Sequence, residues 1–440
     1  MNVRRSALRL LCRWEEEGRY INLSLDSVGQ ETTGEQRRAL TALLYGTVER
    51  ALTLDYDIGV LAGRSAASLD VYTRNLLRLG LYQLLYMENT PAYAAVHETV
   101  ALARNPGERG LTNAVLRAAQ RTPPALPPRQ KNAARWISLR YSVALPLVRR
   151  LIAALGEDCA EQAIAAMDAA GRSGGMTLRV NDCRTDRDRL LARLRAAGYE
   201  AEPSPLCGSA IVLPHGAPPT ELPGFDTGEF FVQDAASQLA VAALDPLPGE
   251  RVVDVCACPG GKSLSAAVQM KNCGEVLAFD LHESKLPLIV GSAERLGLSC
   301  IRAAAHDATA VQPALRGHAD RVICDVPCSG LGVLGKKPDL RYRGEEGLDE
   351  LPALQAKILA AAAEYVRPGG VLVYSTCTLL PTENEEQVAA FLGTHPDFAP
   401  DRFPPDCGVA APGGMLTLYP QTSGTDGFFI ARLRRAAATV

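Results

Sequence analysis

The C-terminal half of the chain alternates short β-branched runs with segments of helical length, and this alternation limits the fold more than any other feature. The clearest β-branched runs are residues 252–255, 276–280, 321–325 and 371–374. The helical segments between them lie near residues 262–272, 284–297 and 348–366. Strands that alternate with helices predict a mostly parallel, doubly wound sheet.

The first 120 residues have a different pattern, in which apolar residues recur at intervals of three and four. One such group is Leu76, Leu77, Leu81, Leu84 and Leu85. This spacing predicts packed helices and no strands. The proline-rich stretch 122–128 cannot continue a helix and therefore predicts a linker.

A small α/β unit is expected between these two regions. Strand-like residues 176–181 and 210–213 flank a charged helical segment at 184–198, and prolines break the pattern before residue 225. A length of 440 residues also favours about three domains, at roughly 150 residues each. We expect a helical domain at 1–140, a small α/β domain at 141–225 and a doubly wound domain at 226–440.

Composition excludes several classes of protein. The hydrophobic fraction of 47% and the charged fraction of 22% are ordinary globular values, and no apolar run approaches the roughly 20 residues of a membrane helix. The basic N-terminus leads into Glu15, Glu16 and Glu17, so we expect no signal peptide. Twelve cysteines are too few for a disulfide scaffold and predict reduced thiols. We therefore expect a cytoplasmic protein.

Charge is distributed unevenly along the chain. The net charge is −3, but residues 1–150 carry +8, residues 151–250 carry −8 and residues 251–440 carry −3. A basic N-terminal third suggests contact with a polyanion. On charge alone, solvated helix faces are the simpler interpretation.

A glycine-rich loop follows the first strand of the doubly wound region, where such sheets bind ligands. Its residues are Cys256, Ala257, Cys258, Pro259, Gly260, Gly261 and Lys262. A P-loop would need glycine at the position of Cys256, and the dinucleotide pattern G-x-G-x-x-G is absent. The two glycines instead predict a tight loop whose backbone approaches a ligand closely at the start of a helix.

Two carboxylates follow the next strands. Asp280 ends the second strand, where a ribose hydroxyl pair would lie, and Asp307 follows the third, where it could accept a hydrogen bond from an adenine amine. Each aspartate alone could equally cap a helix or lie in a solvated loop. Together with the loop, they predict a pocket for an adenosine-containing cofactor.

Two cysteines also follow predicted strands. Cys328 lies in the motif Asp-Val-Pro-Cys-Ser-Gly that starts at Asp325, and Cys377 ends the motif Ser-Thr-Cys. Their strand-end positions make them candidate nucleophiles. A cysteine is more often a small buried apolar residue than a nucleophile, and we expect this of Cys12, Cys159, Cys273 and Cys300. The alternative is a zinc site formed by Cys256, Cys258, Cys324 and Cys328. The first pair has C-x-C spacing, which differs from the C-x₂₋₄-C spacing that zinc sites usually have.

These motifs resemble those of the S-adenosylmethionine-dependent RNA 5-methylcytosine methyltransferases. The loop 256–262, the Asp325 motif and the Cys377 motif carry the resemblance, and residues 232–238 and 426–429 extend it. Residues 78–87 and 113–117 resemble a helical NusB-like domain. A NusB-like domain joined to this kind of methyltransferase domain is similar to the RsmB (Sun/Fmu) subfamily, which modifies a cytosine of 16S ribosomal RNA. Cys258 departs from the small Ala or Ser that this family usually has there.

The resemblance implies a multidomain fold: an all-α NusB-like RNA-binding domain, a small α/β linker domain and a Rossmann-like α/β methyltransferase domain. It implies that Cys377 adds to carbon 6 of cytosine, that Cys328 assists release and that Asp325 binds the ring nitrogen. The implied cofactor is S-adenosyl-L-methionine, held by the loop from Cys256 to Lys262 and by Asp280, Asp307 and Asp325.

The implied partner is 16S ribosomal RNA, with no metal and no membrane. The sequence does not give the oligomeric state, and we take a monomer as the expectation. A cationic stretch after the Cys328 motif either contacts RNA or forms a plain solvated loop, and it contains Lys336, Lys337, Arg341, Tyr342 and Arg343.

Three other functions remain as alternatives. Transfer RNA could be the substrate of the same chemistry, because the catalytic motifs are shared. A non-catalytic NusB-like RNA-binding factor would need neither Cys377 nor Cys328. A nicotinamide-dependent dehydrogenase would need the missing G-x-G-x-x-G pattern.

Overall fold

The computed structural model describes residues 2–18, 34–88 and 90–437. The chain forms two compact units. The helical unit comprises Met1–Glu161 together with Lys337–Gly344, and the sheet unit comprises Gln162–Lys336 together with Glu345–Val440. The chain thus leaves the sheet unit at Lys337 for eight residues and returns to it at Glu345.

The described part of the helical unit contains helices and no strands, as the apolar spacing predicts. Leu76, Leu77, Leu79 and Leu81 of its fourth helix are fully buried. Because these residues point in different directions around the helix, neighbouring helices must pack against more than one of its faces. The helices are α1 (Val3–Glu17), α2 (Gly34–Glu49), α3 (Ala51–Ala62), α4 (Val71–Tyr86), α5 (Ala92–Val100), α6 (Pro106–Arg121), α7 (Ala133–Tyr141) and α8 (Leu145–Leu155). The next helix, α9 (Glu157–Ser173), begins in this unit and continues into the sheet unit.

Residues 337–344 contain a short 3-10 helix, Pro338–Tyr342, within the helical unit. Arg341 is only 1% exposed, so neither of the two interpretations left open for this stretch, RNA contact or a solvated loop, holds for its side chain. The hydroxyl of Tyr342 points inward, 3.0 Å from Ser142 Oγ, which removes its polar end from solvent. Lys337 and Arg343 are exposed.

A small antiparallel sheet opens the sheet unit, with the strand order β2-β3-β1-β4. Its apolar face packs against α10 (Arg187–Ala196) through Leu190 and Leu194, both fully buried. The strands are β1 (Met176–Val180), β2 (Glu202–Pro203), β3 (Ala210–Leu213) and β4 (Phe230–Val232). The sequence predicts β1, β3 and α10, whereas β2 and β4 are too short to show a periodic pattern.

The large sheet has the order β10-β12-β9-β8-β5-β6-β7, and β11 pairs with β12. Strands β5 to β9 are parallel, and β10 to β12 are antiparallel additions. The strands are β5 (Arg251–Asp254), β6 (Glu275–Asp280), β7 (Ile301–Ala305), β8 (Ala319–Asp325), β9 (Val366–Thr376), β10 (Phe398–Pro400), β11 (Met415–Leu418) and β12 (Phe428–Arg435).

Helices connect these strands as the alternating pattern predicts. They are α11 (Ala235–Leu244), α12 (Gly261–Gln269), α13 (Leu286–Leu296), α14 (Leu351–Tyr365), α15 (Glu385–Thr394) and the short α16 (Pro420–Ser423). The chain order runs outward from β5 in both directions, so a switch point lies between β5 and β8. Ligand sites in such sheets lie at the carboxyl ends of the strands beside this point.

The cysteines outside the motifs differ in exposure. Cys300 is buried as expected, and Cys12 and Cys159 are half-buried. Cys273 is exposed, because it lies in the turn after α12 rather than within an element, so its expected burial is wrong. In the part of the chain that the structure describes, no helix combines the length and apolar character needed to cross a membrane.

Burial of Asp57 on α3 predicts a pH-dependent stability. Asp57 is 4% exposed, and burial raises the pKa of its carboxyl from 3.8 to about 7. Between about pH 4 and pH 7 the folded protein therefore holds a proton that the unfolded chain releases, and stability falls as pH rises through that window. Over this window the wild type should lose at most about 4 kcal/mol of its free energy of unfolding through Asp57. We expect Asp57→Asn to remove that loss, because an amide does not titrate.

Urea unfolding of wild type and Asp57→Asn at several pH values measures this difference. Asp158→Asn is the control, because Asp158 is an exposed carboxylate of the same unit. A free-energy difference between wild type and Asp57→Asn that stays constant across the window would contradict the prediction.

Candidate active site

Three parallel strands bring their carboxyl ends to one edge of the large sheet. In the pairing of β8 with β9, Asp325 lies opposite Ser375, and in the pairing of β5 with β8, Asp254 lies opposite Ile323. The residues that follow β5, β8 and β9 are therefore neighbours beside the switch point. These are the segments that the sequence analysis selects.

The two candidate nucleophiles lie in contact. Cys328 Sγ and Cys377 Sγ are 3.3 Å apart. The hydrogen bond to Cys377, together with burial, holds the pKa of the Cys328 thiol well above its ordinary value. Cys328 is therefore protonated at neutral pH and can donate its hydrogen bond to the sulfur of Cys377.

Hydrogen bonds fix the loop that carries Cys328. The carboxylate of Glu383, only 1% exposed, accepts a bond of 2.9 Å from the backbone N–H of Ser329. The hydroxyls of Ser329 and Thr378 are 2.7 Å apart, and the N–H of Gly332 donates to the carbonyl of Cys377 over 2.9 Å. The loop after β8 is thus tied directly to the residues after β9.

Lys262 forms an ion pair with Asp325. Its Nζ lies 2.8 Å from Asp325 Oδ2, and the other carboxylate oxygen accepts a bond of 2.7 Å from Ser375 Oγ. Burial disfavours the Lys262 ammonium, yet the negative groups around it, Asp325 foremost and Cys377 among them, leave its pKa above the ordinary value. The same positive charge favours the thiolate form of Cys377. Lys262 thus belongs to the glycine-rich loop and also pairs with Asp325, one of the candidate catalytic residues.

The glycine-rich loop adopts a conformation that needs glycine. Gly260 has a φ of 113°, in the left-handed region, and α12 begins at the next residue. Asp280, at the end of β6, supports the loop by accepting a bond of 3.2 Å from the N–H of Cys258. Its other oxygen accepts a bond of 3.0 Å from the N–H of His282. The structure thus brings Asp280 and the loop together, as predicted from their strand-end positions.

Asp254, the last residue of β5, is a buried carboxylate that the sequence analysis did not select. It is 1% exposed, and Ser263 donates a bond of 2.6 Å to its Oδ2. Burial raises the pKa of Asp254 to about 7. Its Oδ1 is buried and has no hydrogen-bond partner among the described residues. An acidic residue in an otherwise apolar buried strand is the sequence signal that could have found it.

Asp307 lies further along the same edge, two residues after β7. Its Oδ1 accepts bonds from the N–H and hydroxyl of Thr309, at 2.9 and 2.7 Å. These bonds, the backbone one first, lower the pKa of the Asp307 carboxyl. The side chain is exposed and caps its own turn, which matches the alternative interpretation given above. Among the described residues, no hydrogen bond joins the Asp307 side chain to Asp280 or to the glycine-rich loop.

The cysteines of the alternative zinc site do not form one. Cys324 is buried, and Cys256 and Cys258 are half-buried in and beside the loop. Nowhere in the described ranges do three His, Cys, Asp or Glu side chains converge as metal ligands would. Burial, followed by the negative charge of Asp280, raises the pKa of Cys258 to about 11, so this extra thiol stays protonated.

Comparison with protein families gives a match to each region of the chain. Residues 241–434 match the family described as 16S rRNA methyltransferase RsmB/F. Residues 1–121 match the NusB family, and residues 147–219 match the ferredoxin-like domain of RsmF/B-like methyltransferases. The predicted fold class is therefore confirmed: a helical NusB-like domain, a small α/β domain and a Rossmann-like methyltransferase domain.

Individual relatives match over almost the full length. The probable ribosomal RNA small subunit methyltransferase B of Bacillus subtilis is 37% identical, covering 99% of both chains. The ribosomal RNA small subunit methyltransferase B of Klebsiella pneumoniae is 33% identical, covering 98% of both. Among solved structures, the crystal structure of PH0851 has a TM-score of 0.80 and 25% identity and covers 99% of both chains. With matching motifs, matching domain order and full-length identity above 30%, this chain belongs to the ribosomal RNA small subunit methyltransferase B family.

Proposed function

We propose that this protein transfers a methyl group from S-adenosyl-L-methionine to carbon 5 of a cytosine in 16S ribosomal RNA, through a covalent bond between Cys377 and carbon 6. The contact between Cys377 and Cys328 beside the Lys262–Asp325 pair is the observation that carries the proposal. The names of the family and of its relatives support ribosomal RNA as the substrate.

The residues around the glycine-rich loop fit an adenosine-containing cofactor. Asp280, half-buried at the end of β6, offers its carboxylate for a ribose, and Asp307 lies beyond it, after β7, for the adenine. The unpartnered Oδ1 of Asp254 provides a further buried acceptor beneath the loop. S-adenosyl-L-methionine, when bound there, supplies an electrophilic methyl group on its sulfonium.

Cytosine carbon 5 needs activation, because it is a poor nucleophile. Addition of the Cys377 thiolate to carbon 6 converts the ring to an enamine whose carbon 5 is nucleophilic. The thiolate is the attacking species, and the positive charge of Lys262 favours it. The protonated thiol of Cys328 donates a hydrogen bond to the same sulfur and orients it.

Asp325 and Lys262 act together on the cytosine ring. Addition at carbon 6 develops negative charge at ring nitrogen 3, which needs a hydrogen-bond donor. The ion pair, 2.8 Å long, offers a carboxylate acceptor and an ammonium donor side by side. Asp325 is held in place by Ser375, so the pair is already oriented before the base arrives.

Release of the methylated product requires that the Cys377–carbon 6 bond break. A base removes the proton from carbon 5, and the electron pair of that C–H bond re-forms the ring double bond as the Cys377 thiolate leaves. Cys328 lies 3.3 Å from the leaving sulfur and carries a proton. It can therefore donate a hydrogen bond to the departing thiolate and stabilise that thiolate as a leaving group.

The helical unit is the proposed site of RNA contact. Residues 101–150 contain ten basic side chains and one acidic one, and most of the basic ones are exposed. A cation-rich surface of this kind suits phosphate neutralisation. The target base must leave its stack to reach Cys377, so we propose a loop or an opened strand as the substrate.

We expect the two cysteines to have separable effects on methyl transfer. Labelled S-adenosyl-L-methionine is incubated with unmodified 16S ribosomal RNA and with transfer RNA. Cys377→Ala should abolish label transfer, because no covalent activation occurs. Cys328→Ala should accumulate a covalent protein–RNA adduct, because release is slowed. The adduct is seen as a protein band of reduced mobility that RNase treatment reverses.

Wild-type transfer to 16S RNA alone supports the proposed substrate, and transfer to transfer RNA alone favours the alternative. A non-catalytic RNA-binding factor would bind RNA and transfer no label. Label transfer that survives Cys377→Ala would contradict the mechanism.

We expect Asp280→Asn to weaken cofactor binding. The substitution removes the charge that would accept ribose hydroxyl bonds and that supports the N–H of Cys258, so Kd for S-adenosyl-L-methionine should rise by about tenfold or more. Calorimetric titration measures Kd. Glu283→Gln is the control, because Glu283 is an exposed carboxylate three residues away. Equal Kd values for wild type and Asp280→Asn would contradict the assignment of Asp280 to the cofactor.

We expect exposed arginines of α6 to contact RNA phosphates. Arg117→Gln/Arg121→Gln should weaken RNA binding across sequences and lower the slope of log K against log salt by about one to two. Filter binding at several salt concentrations measures the slope. The control Arg38→Gln/Arg64→Gln removes two exposed charges elsewhere on the helical unit. Identical slopes for wild type and the α6 variant would contradict a role for this helix.

A further inference from the structure

Residues 337–344, which we name the anchor segment, lie at an unexpected location. The segment begins nine residues after Cys328 in the sequence of the methyltransferase domain, yet it belongs to the helical unit. It is joined by peptide bonds to the sheet unit at both ends. Its sequence, rich in cations around an aromatic residue, leaves RNA contact and a solvated loop open. The side chains of Arg341 and Tyr342 are instead directed into the helical unit.

Arg341 fixes the anchor segment through backbone carbonyls. Its guanidinium donates to the carbonyl of Tyr141 over 3.0 Å and to that of Glu49 over 3.4 Å. The carbonyl of Arg341 in turn accepts a bond of 2.7 Å from the N–H of Ala144. A buried guanidinium is costly unless such partners satisfy it, so these contacts specify one position for the segment.

Tyr342 adds a second set of bonds. Its hydroxyl donates to the carbonyl of Val48, accepts from the N–H of Ala51 over 3.2 Å and lies 3.0 Å from Ser142 Oγ. Its ring packs edge-on against Trp14, with centroids 5.8 Å apart. The anchor segment therefore joins α1, α2, α3 and the end of α7 in one hydrogen-bonded cluster.

The loop between Cys328 and the anchor segment has little freedom on the sheet-unit side. Lys336, its last residue, forms ion pairs with Asp234 at 2.6 Å and with Asp426 at 2.9 Å. A Cβ at Gly332 would lie 2.0 Å from the carbonyl oxygen of Gly427, so the backbones pack as closely as glycine allows. The loop therefore has no slack to take up a displacement of residue 337, and such a displacement would strain the contacts that hold the Cys328 loop.

We propose that the anchor segment makes the helical unit a positioning device for the Cys328 loop, with Arg341 and Tyr342 as positioning residues for product release. The role in release rests on the function proposed above, whereas the mechanical link does not. The helical unit thus has a second task besides RNA contact.

Hydrogen exchange of the full chain, followed by mass spectrometry, tests the mechanical link. The variants are Tyr342→Phe, which keeps the ring and removes the hydroxyl, and Arg341→Met. Arg343→Ala is the matched control, because Arg343 is an exposed cation of the same segment. Both variants should speed exchange around Ala51 and Ala144, whose amides bond to the anchor segment, and at residues 329–336, by about fivefold or more. The control should leave both regions unchanged.

Faster exchange at Ala51 and Ala144 with unchanged exchange at 329–336 would overturn the proposal. Unchanged exchange in both regions would show that Arg341 and Tyr342 do not hold the segment and would overturn it as well. If Arg341→Met does not fold, Tyr342→Phe still gives the comparison.

Steady-state methyl transfer, with the covalent adduct followed in parallel, tests the consequence for the reaction. The variants should keep the KM for RNA within about twofold and lower kcat by about fivefold or more, with the covalent RNA adduct lasting correspondingly longer. A change in KM alone would assign the segment to RNA binding and overturn the positioning role. Faster exchange at 329–336 in a protein whose wild type transfers no methyl group would refute the proposed function and leave the mechanical link standing.

Discussion

The parallel pairing of β8 with β5 and β9 is the constraint on which the site depends. The register that places Asp325 opposite Ser375 brings the Cys328 loop and Cys377 to the same edge, beside the loop that follows β5. Side chains alternate between the two faces of a strand, so a shift of one residue in the register of β9 would move each of its side chains to the opposite face of the sheet. Through this register and the hydrogen bonds that fix the Cys328 loop, two thiols separated by 49 residues in the sequence come within 3.3 Å of each other.

Under the proposed mechanism, the buried charge at this edge serves the reaction rather than the stability of the fold. Lys262 is 11% exposed and lies among carboxylates, of which Asp325 is its direct partner. Such a cluster contributes little net stability, because desolvation of the charges offsets their attraction. Its value lies in fixed donors and acceptors where charge changes during the reaction. The shifted pKa values of Cys328, Lys262 and Asp254 all occur within this one region, as they do at catalytic sites.

The sequence predicts those parts of the site that follow from strand ends, and misses those that depend on tertiary contacts. Cys328, Cys377 and Asp280 are found because each follows a β-branched run. The support that Glu383 gives to Ser329 comes from a residue 54 positions away and has no local pattern. Arg341 looks like a surface cation in the sequence, because nothing local shows that carbonyls of the helical unit surround it. The roles assigned to the site residues and the domain limits at 140 and 225 stay predictions.

The central claim is that Cys377, not Cys328, bonds to the base. The most direct measurement uses 16S ribosomal RNA that contains 5-fluorocytidine, whose fluorine cannot leave as the carbon 5 proton does, so the covalent adduct persists. Wild-type protein is reacted with this RNA and S-adenosyl-L-methionine, digested with trypsin and nuclease, and analysed by mass spectrometry. We expect a methylated fluorocytidine nucleotide on the peptide that contains Cys377. The same nucleotide on the Cys328 peptide would contradict it.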